Sequence, residues 1–182
     1  MRILETERLL LKPIEIEDLK YLLDLRWNKE MEDVIIHDPI SYRDQMDWYN
    51  SLKKTDVALA IFLKENSELK IIGNIGLFDI KTRHQRATLR ARLDPAQQGK
   101  GYAKEAFSLM LDYGFNTLNL NKVISDSFVD NIVVLNLIEK LGFKKEGLLV
   151  KHYFHNGKFK DVYQCGLLRE DFNNLLITQQ KQ

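Results

Sequence analysis

Apolar residues recur along this chain with two periods, and the switches between them divide it into elements. Arg8-Leu9-Leu10-Leu11-Lys12-Pro13-Ile14 predicts a strand over residues 8–14, and Leu19, Leu22 and Leu23 then fall at helical spacing with Arg26 beyond. Between Asn28 and Ser41 the pattern breaks into mixed acidic and apolar residues ending at Asp38-Pro39, a stretch that reads as a substrate-facing loop. Met46, Tyr49 and Leu52 predict a second helix after it. Three strand-like runs follow, Val57 to Leu63, Ile71 to Ile80 and Ala87 to Leu93, separated by polar turns at Asn66-Ser67 and at Lys81 to Gln85. That spacing predicts an antiparallel meander.

Beyond Asp94-Pro95 the period becomes helical from about Gly99 to Gly114, with Ala103, Phe107, Met110, Leu111 and Gly114 on one stripe, and Lys122 to Phe128 then reads as a strand. A strand-helix-strand unit predicts parallel pairing. A further helix opens at Asn131, carries Val134, Leu137, Ile138 and Leu141 on one face, and stops at Gly142. Residues 143–154 and 158–167 form a hairpin across Asn156-Gly157, and the tail from Gln179 to Gln182 is expected to fray. The expectation is one α/β (α+β) domain over residues 1–182 with about seven strands, because no repeat, linker or low-complexity tract interrupts the chain.

Composition narrows the function. With 45% hydrophobic residues and 10% aromatics, 182 residues can bury a substantial core. Lys and Arg number 27 against 26 Asp and Glu, so no global field draws the protein to nucleic acid or to an anionic membrane. The only cysteine, Cys165, has no intramolecular disulfide partner, and no Cys/His spacing proposes a metal site. No apolar run approaches the ~18 residues of a membrane span, and the N-terminal residues are charged; a cytoplasmic location is the expectation.

The candidate chemistry lies in Leu93-Asp94-Pro95-Ala96-Gln97-Gln98-Gly99-Lys100-Gly101-Tyr102-Ala103, where a strand ends and a glycine-containing loop leads into a helix. The first amides of a helix lack intrahelical partners and sit at its partly positive end, and glycines let a phosphate approach the backbone closely. A pyrophosphate would fit against Gln98 to Ala103. Alone, two glycines before a helix are equally a plain turn.

The loop resembles the acetyl-CoA loop of the Gcn5-related N-acetyltransferase (GNAT) superfamily, Gln/Arg-x-x-Gly-x-Gly/Ala, at Gln98, Gly101 and Ala103. The resemblance extends to Asn131 at the next helix start and to Glu139-Lys140-Leu141-Gly142-Phe143 at its end. Lys144-Lys145-Glu146-Gly147 and Asn156-Gly157-Lys158-Phe159-Lys160-Asp161-Val162 are similar to the branch holding ribosomal-protein, spermidine and amino-sugar N-acetyltransferases, so that the likeness spans about residues 7–170. It implies a mixed, mostly antiparallel sheet flanked by helices, with a central parallel pair, 87–93 and 122–128, splayed to admit the pantetheine arm. It implies acetyl-CoA as co-substrate, held by Leu93, Gln98, Gly99, Lys100, Gly101, Tyr102, Ala103 and Asn131, with the Leu93 backbone amide polarising the thioester carbonyl. A homodimer is also implied.

Direct transfer needs a neutral amine, and an alkylammonium of pKa ~10.4 is deprotonated to only about one part in a thousand at neutral pH. Many relatives place a tyrosine seven residues after the Asn, and others a serine three residues after it; here those positions are Ile138 and Val134. The remaining polar candidates are Glu30, Glu32, Asp33 and His37 in the irregular loop and Ser125, Asp126 and Ser127 on the strand before Asn131, with Glu32 and Asp126 singled out for proton handling. Strand alternation sets Asp126 on the face opposite Ser125 and Ser127.

Arg90 and Arg92 share a strand face and could receive a phosphate or carboxylate of the acceptor, against the plainer alternative of a solvated sheet face. Glu30, Glu32, Asp33 and Asp38 would instead suit a polyamine. His152, Tyr153, Phe154 and His155 either line a pocket or pack, and Trp27 and Trp48 are expected in the core. The expected activity is acetyl transfer to a primary amine of a small molecule, an amino sugar or a polyamine. The alternatives are acetylation of a protein N-terminus, a non-catalytic acyl-CoA-binding regulator, and a scaffold that binds no CoA.

Overall fold

The computed structural model describes residues 4–31 and 40–179. The strands are β1 (Leu4–Glu5), β2 (Leu9–Pro13), β3 (Val57–Glu65), β4 (Glu68–Lys81), β5 (Arg86–Leu93), β6 (Lys122–Phe128), β7 (Lys144–His155) and β8 (Lys158–Leu168). The helices are α1 (Leu19–Arg26), α2 (Tyr42–Asn50), α3 (Tyr102–Asp112), α4 (Ile132–Lys140) and α5 (Arg169–Gln179). The strands hydrogen-bond in the order β1-β2-β3-β4-β5-β6-β8-β7. Among the described residues there are eight rather than about seven, the addition being the two-residue β1, too short to show a period in sequence. Contacts divide the chain into two compact units, Met1–Asp79 with Arg90–Met110, and Ile80–Leu89 with Leu111–Gln182.

In the first unit β1 to β4 form an antiparallel meander, with Leu9↔Leu63 and Val57↔Leu77 among the paired residues; β3 and β4 are two of the three strands expected to pair in this way, and β5 lies next to β4. The β3–β4 turn takes Asn66 and Ser67 at φ 49 and 66, the left-handed pair whose twist suits a two-residue hairpin. Alternation buries Leu59 and Ile61 on one face of β3 and leaves Ala60 on the other, where Ile14, Leu19 and Leu22 pack on it. Met46, Trp48 and Tyr49 of α2 cover the same cluster. Ser41 caps α2 reciprocally with Asp44, and the helix closes at Asn50, so that Leu52 falls outside it.

In the second unit β5 and β6 pair in parallel, as the strand-helix-strand order requires, and β6 pairs antiparallel with β8. The β7–β8 hairpin turns at Asn156 and Gly157, with φ 49 and 77. α4 buries Ile138, with Leu141 buried at its end and Val134 and Leu137 half-buried, which is the expected face; Leu135 is buried in addition, while Ile132 and Val133 are exposed. Its end is a Schellman turn in which Phe143 N donates to Ile138 O and Gly142 sits at φ 90. α5, absent from the sequence reading, sets Phe172 against the fully buried Phe115 at 5.1 Å between ring centroids.

Candidate active site

β5 ends at Leu93 and the chain turns at once. Asp94 N donates to Ile72 O of β4 at 2.8 Å, and because successive N–H groups of a strand point to opposite edges, the Leu93 N–H faces away from β4. On that edge β6 pairs only with Arg86, Ala87 and Thr88. From Leu89 to Leu93, among the described residues, β5 has no β6 partner. The Asp94 carboxylate holds the turn, accepting from Ala96 N and from the Tyr21 hydroxyl, each at 2.9 Å. Burial and the Asp94 carboxylate push the Tyr21 phenol well above its ordinary value, so it stays a protonated donor tying α1 to the end of β5.

The loop after it carries two left-handed glycines, Gly99 at φ 75 and Gly101 at φ 86. A Cβ built on Gly99 meets nothing within 4 Å, so the concave side of the loop is open. These conformations keep the glycines out of α3, which starts at Tyr102 rather than at Gly99 as the apolar stripe suggested. Glu105 N makes the first bond back to Gly101 O, leaving the N–H groups of Tyr102, Ala103 and Lys104 ahead of it. Gln98 and Lys100 are exposed beside them, and Lys100 Nζ donates to Gln97 Oε1 at 3.0 Å.

A clasp that sequence reasoning missed holds this loop. Arg8, the residue before β2, donates from Nη1 to Lys100 O at 3.1 Å, pairs with Glu105 through Nε and Nη2, and lies over the Tyr102 ring at 4.7 Å. Thr6 Oγ1 donates to the other Glu105 oxygen at 2.9 Å. Hydrogen bonding to Glu105 raises the already high Arg8 pKa. The partners are 97 residues apart in sequence, and no local pattern connects them.

In the second unit Asn131 is the N-cap of α4, its Oδ1 accepting from Val134 N at 3.3 Å, so a structural role accounts for it beside the expected cofactor contact. Ile138 is buried at 1% exposure and belongs to the core; Val134 is half-buried. Ser125 and Ser127 point inward and Asp126 outward, as alternation required. Glu32, Asp33, His37 and Asp38 lie outside the described residues.

The two arginines of β5 separate. Arg90 is exposed and stacks over Phe78 at 5.9 Å, whereas Arg92 is half-buried, its Nε buried without a hydrogen-bond partner. Desolvation, then the neighbouring charge of Arg26, brings the Arg92 pKa down to about 10. Trp27 is 59% exposed and so is not the core residue expected, while Trp48 packs as expected. His155 stacks on Phe128 in the interior, but His152, Tyr153 and Phe154 are exposed. Cys165 is buried and free, and burial raises its thiol pKa. Among the described residues no group of three His, Cys, Asp or Glu side chains could hold a metal ion, and no helix is long and apolar enough to cross a membrane.

Comparison with known proteins fits this geometry. The family model for an acetyltransferase (GNAT) domain matches residues 8–144. The chain is 30% identical to spermidine N(1)-acetyltransferase of Vibrio cholerae over 92% of its own length and 96% of that protein's. It is 34% identical to an uncharacterised N-acetyltransferase, p20, of Bacillus licheniformis, over 94% and 99% of the two lengths. Its fold superposes on the crystal structure of spermidine N-acetyltransferase from Vibrio cholerae in complex with CoA and spermine, with a TM-score of 0.84 at 28% identity, covering 93% of this chain and 100% of that one. A dodecameric form of that enzyme matches with a TM-score of 0.79. A left-handed glycine loop opening α3, the free edge at the end of β5 and these matches agree: the chain belongs to the GNAT acetyltransferase family.

Proposed function

We propose that this chain transfers the acetyl group of acetyl-CoA directly to a primary amine of a small molecule, with the donor lying along the free edge of β5 and the loop that follows. The observation that carries this reading is the run from Leu93 to Lys104, in which a strand-end amide turned off the β4 ladder is followed by two positive-φ glycines and three helix-start amides. The backbone from Gly99 to Ala103 offers N–H donors and a positive dipole end to a pyrophosphate. The Leu93 N–H, on the open edge, can donate to the thioester carbonyl and stabilise the oxyanion formed as the amine attacks. The proton shed by the attacking nitrogen balances the charge of the departing thiolate. Free thiols ionise near ~8.5, so this leaving group makes a smaller demand on an acid than an alkoxide would, and an apolar Ile138 is compatible with turnover.

Two acceptor classes fall within this reading. A polyamine is supported by the relatives from Vibrio cholerae and Escherichia coli named for spermidine. An amine that also carries an anion, as a phosphorylated or nucleotide-linked amino sugar does, is supported by Arg92, whose buried Nε has no hydrogen-bond partner. Asp126 and Glu32 remain our candidates for proton handling, and Asn131 for a contact to the cofactor. The reading includes one domain over the whole chain, a cytoplasmic location, and self-association with a homodimer as the smallest unit, the dodecameric neighbour being support for an oligomer.

The test is thiol release from acetyl-CoA over polyamines, amino sugars, their phosphates and N-terminal peptides, alongside calorimetric titration with CoA. Turnover of a small amine with CoA binding is expected. Turnover of peptides alone would replace the acceptor assignment. CoA binding without any turnover would favour a regulator, and no CoA binding would end the reading.

A further inference from the structure

On the β7–β8 hairpin, Lys151, Lys158 and Lys160 are interleaved with the aromatic residues Tyr153, Phe154 and Phe159. The two strands pair at Leu149↔Val162 and next at Tyr153↔Lys160, so the stretch from Val150 to His152 stands opposite Asp161 alone. Lys151 sits in this bulge at φ 51, a left-handed conformation that a lysine adopts at a cost. Its N–H donates to Asp161 Oδ1 at 2.7 Å, which holds the bulge in place. On the other side of Asp161, Val129 N donates to its carbonyl at 3.1 Å as the chain leaves β6 for α4. Bulges of this kind re-aim a side chain, and here the bulged lysine joins the lining of a cavity.

That cavity measures about 430 Å³ and is lined by Asp130, Lys151, Lys158, Phe159, Lys160 and Asp161 together with Val129, all within the second unit. Small-molecule sites have volumes of roughly 300–1,000 Å³. Three lysines stand against two aspartates, and both aspartates are already engaged. Asp130 pairs with Lys160 at 2.9 Å, and the Lys160 side chain is only 9% exposed, its ammonium lying 4.9 Å from the centre of the Phe128 ring. Asp161 accepts from the Lys151 N–H. Among the described residues neither Lys151 nor Lys158 pairs with a carboxylate. α4 begins two residues after Asp130, and its partly positive end adds to the same balance.

Two ammonium groups without a counter-charge match a dianionic phosphate, which lysine binds as a point charge without the fork geometry of arginine. The Phe159 ring, 61% exposed and 5.2 Å from Phe154 between centroids, gives the same cavity an apolar wall. We propose that this cavity is a second binding site, outside the donor loop, for a small phosphomonoester with a flat body, the phosphate held by Lys151 and Lys158 and the body against Phe159. The phosphate belongs either to a separate small molecule or to the ribose phosphate of CoA.

Phenyl phosphate is the probe, with inorganic phosphate and phenol as its two halves. Acetic anhydride labels exposed lysines, and peptide mass spectrometry reads each one. Phenyl phosphate in the millimolar range should slow labelling of Lys151 and Lys158 but not of the exposed Lys20 and Lys54. By calorimetry it should bind more tightly than inorganic phosphate, and phenol more weakly than either. Lys151→Gln with Lys158→Gln should weaken phenyl phosphate by about tenfold or more, as the loss of charge-assisted contacts allows. Phe159→Ala should bring it to the level of inorganic phosphate. These side chains are exposed, so the variants should fold, as circular dichroism would check. Lysines 151 and 158 that do not label in the free protein, no protection of them by phenyl phosphate, equal binding of phenol, or affinity unchanged in the double variant would each overturn the site. Protection of the pair by CoA but not by dephospho-CoA assigns the phosphate to the co-substrate, and protection by neither assigns it to a separate molecule; both keep the site. Lys100 left unprotected by CoA would count against the donor loop instead, and leaves this site standing.

Discussion

Gly101→Glu is the sharpest probe of the donor site. The substitution has two separable costs. One is backbone strain, because Gly101 sits at φ 86 and an L-residue in the left-handed region costs about 1–2 kcal/mol. The other is local to the ligand: a carboxylate beside the N–H groups of Tyr102 and Ala103 would compete with a pyrophosphate for them and repel its charge. Hydrogen bonds to charged groups contribute about 1.5–3 kcal/mol each, so losing two weakens acetyl-CoA binding by about two to four powers of ten. Gly101→Ala isolates the first cost, since its methyl would meet only Arg8 Nη2 at 3.4 Å, an ordinary contact. Urea unfolding should therefore give similar losses for the two variants, whereas calorimetry with acetyl-CoA should separate them, the alanine variant binding and the glutamate variant not. Equal affinities would show that the pyrophosphate does not lie on this loop.

Three other expectations follow from particular contacts. Arg8→Lys removes the fork that joins Lys100 O to Glu105 and should raise KM for acetyl-CoA roughly three- to tenfold with kcat nearly unchanged, read by initial rates; an unchanged KM would mean that the clasp does not position the loop. Ile138→Tyr inserts a larger group at a position with 1% exposure and should lower stability by about 1–3 kcal/mol in urea without raising kcat; full stability with faster turnover would show that this position faces the thioester. Hydrogen bonds from Ser41 hold the Asp44 carboxyl below its ordinary value, so its stabilising contribution is present above the unfolded-state pKa and is lost as pH falls through the folded-state value. Wild type should therefore exceed Asp44→Asn in urea stability at neutral pH and converge with it in acid, and a difference independent of pH would refute the capping role.

Much of the fold was legible because its signals are local. Asn156-Gly157 and Gly142 mark turns that only their residue types adopt comfortably, and both are at positive φ. The inner face of α4 was legible for the same reason, except at Leu135. Ile132-Val133-Val134-Leu135 is a continuous apolar run, so spacing alone cannot say which of its members turn inward, and the structure buries Leu135 while leaving Val134 half-buried. α5 was missed because Glu170, Asp171, Asn173 and Asn174 dilute its apolar positions. At the site, Gly99 and Gly101 announced themselves, but Arg8 with Glu105, Tyr21 with Asp94 and Arg26 with Arg92 join residues far apart in sequence. Only the folded chain brings these together.

That contrast bears on how far an acceptor can be carried from one relative to another. The donor side, as we propose it, is assembled from main-chain groups: a strand-edge amide at Leu93, the N–H groups that open α3, and glycines that let them be approached. Such a site survives almost any change of side chain that spares the glycines, which is why it is recognisable at 30% identity. An acceptor site is built from side chains instead, and a single substitution among them can change what it holds. Identity of about this level therefore carries the family from one relative to another, while the acceptor has to be read from the side chains of each chain.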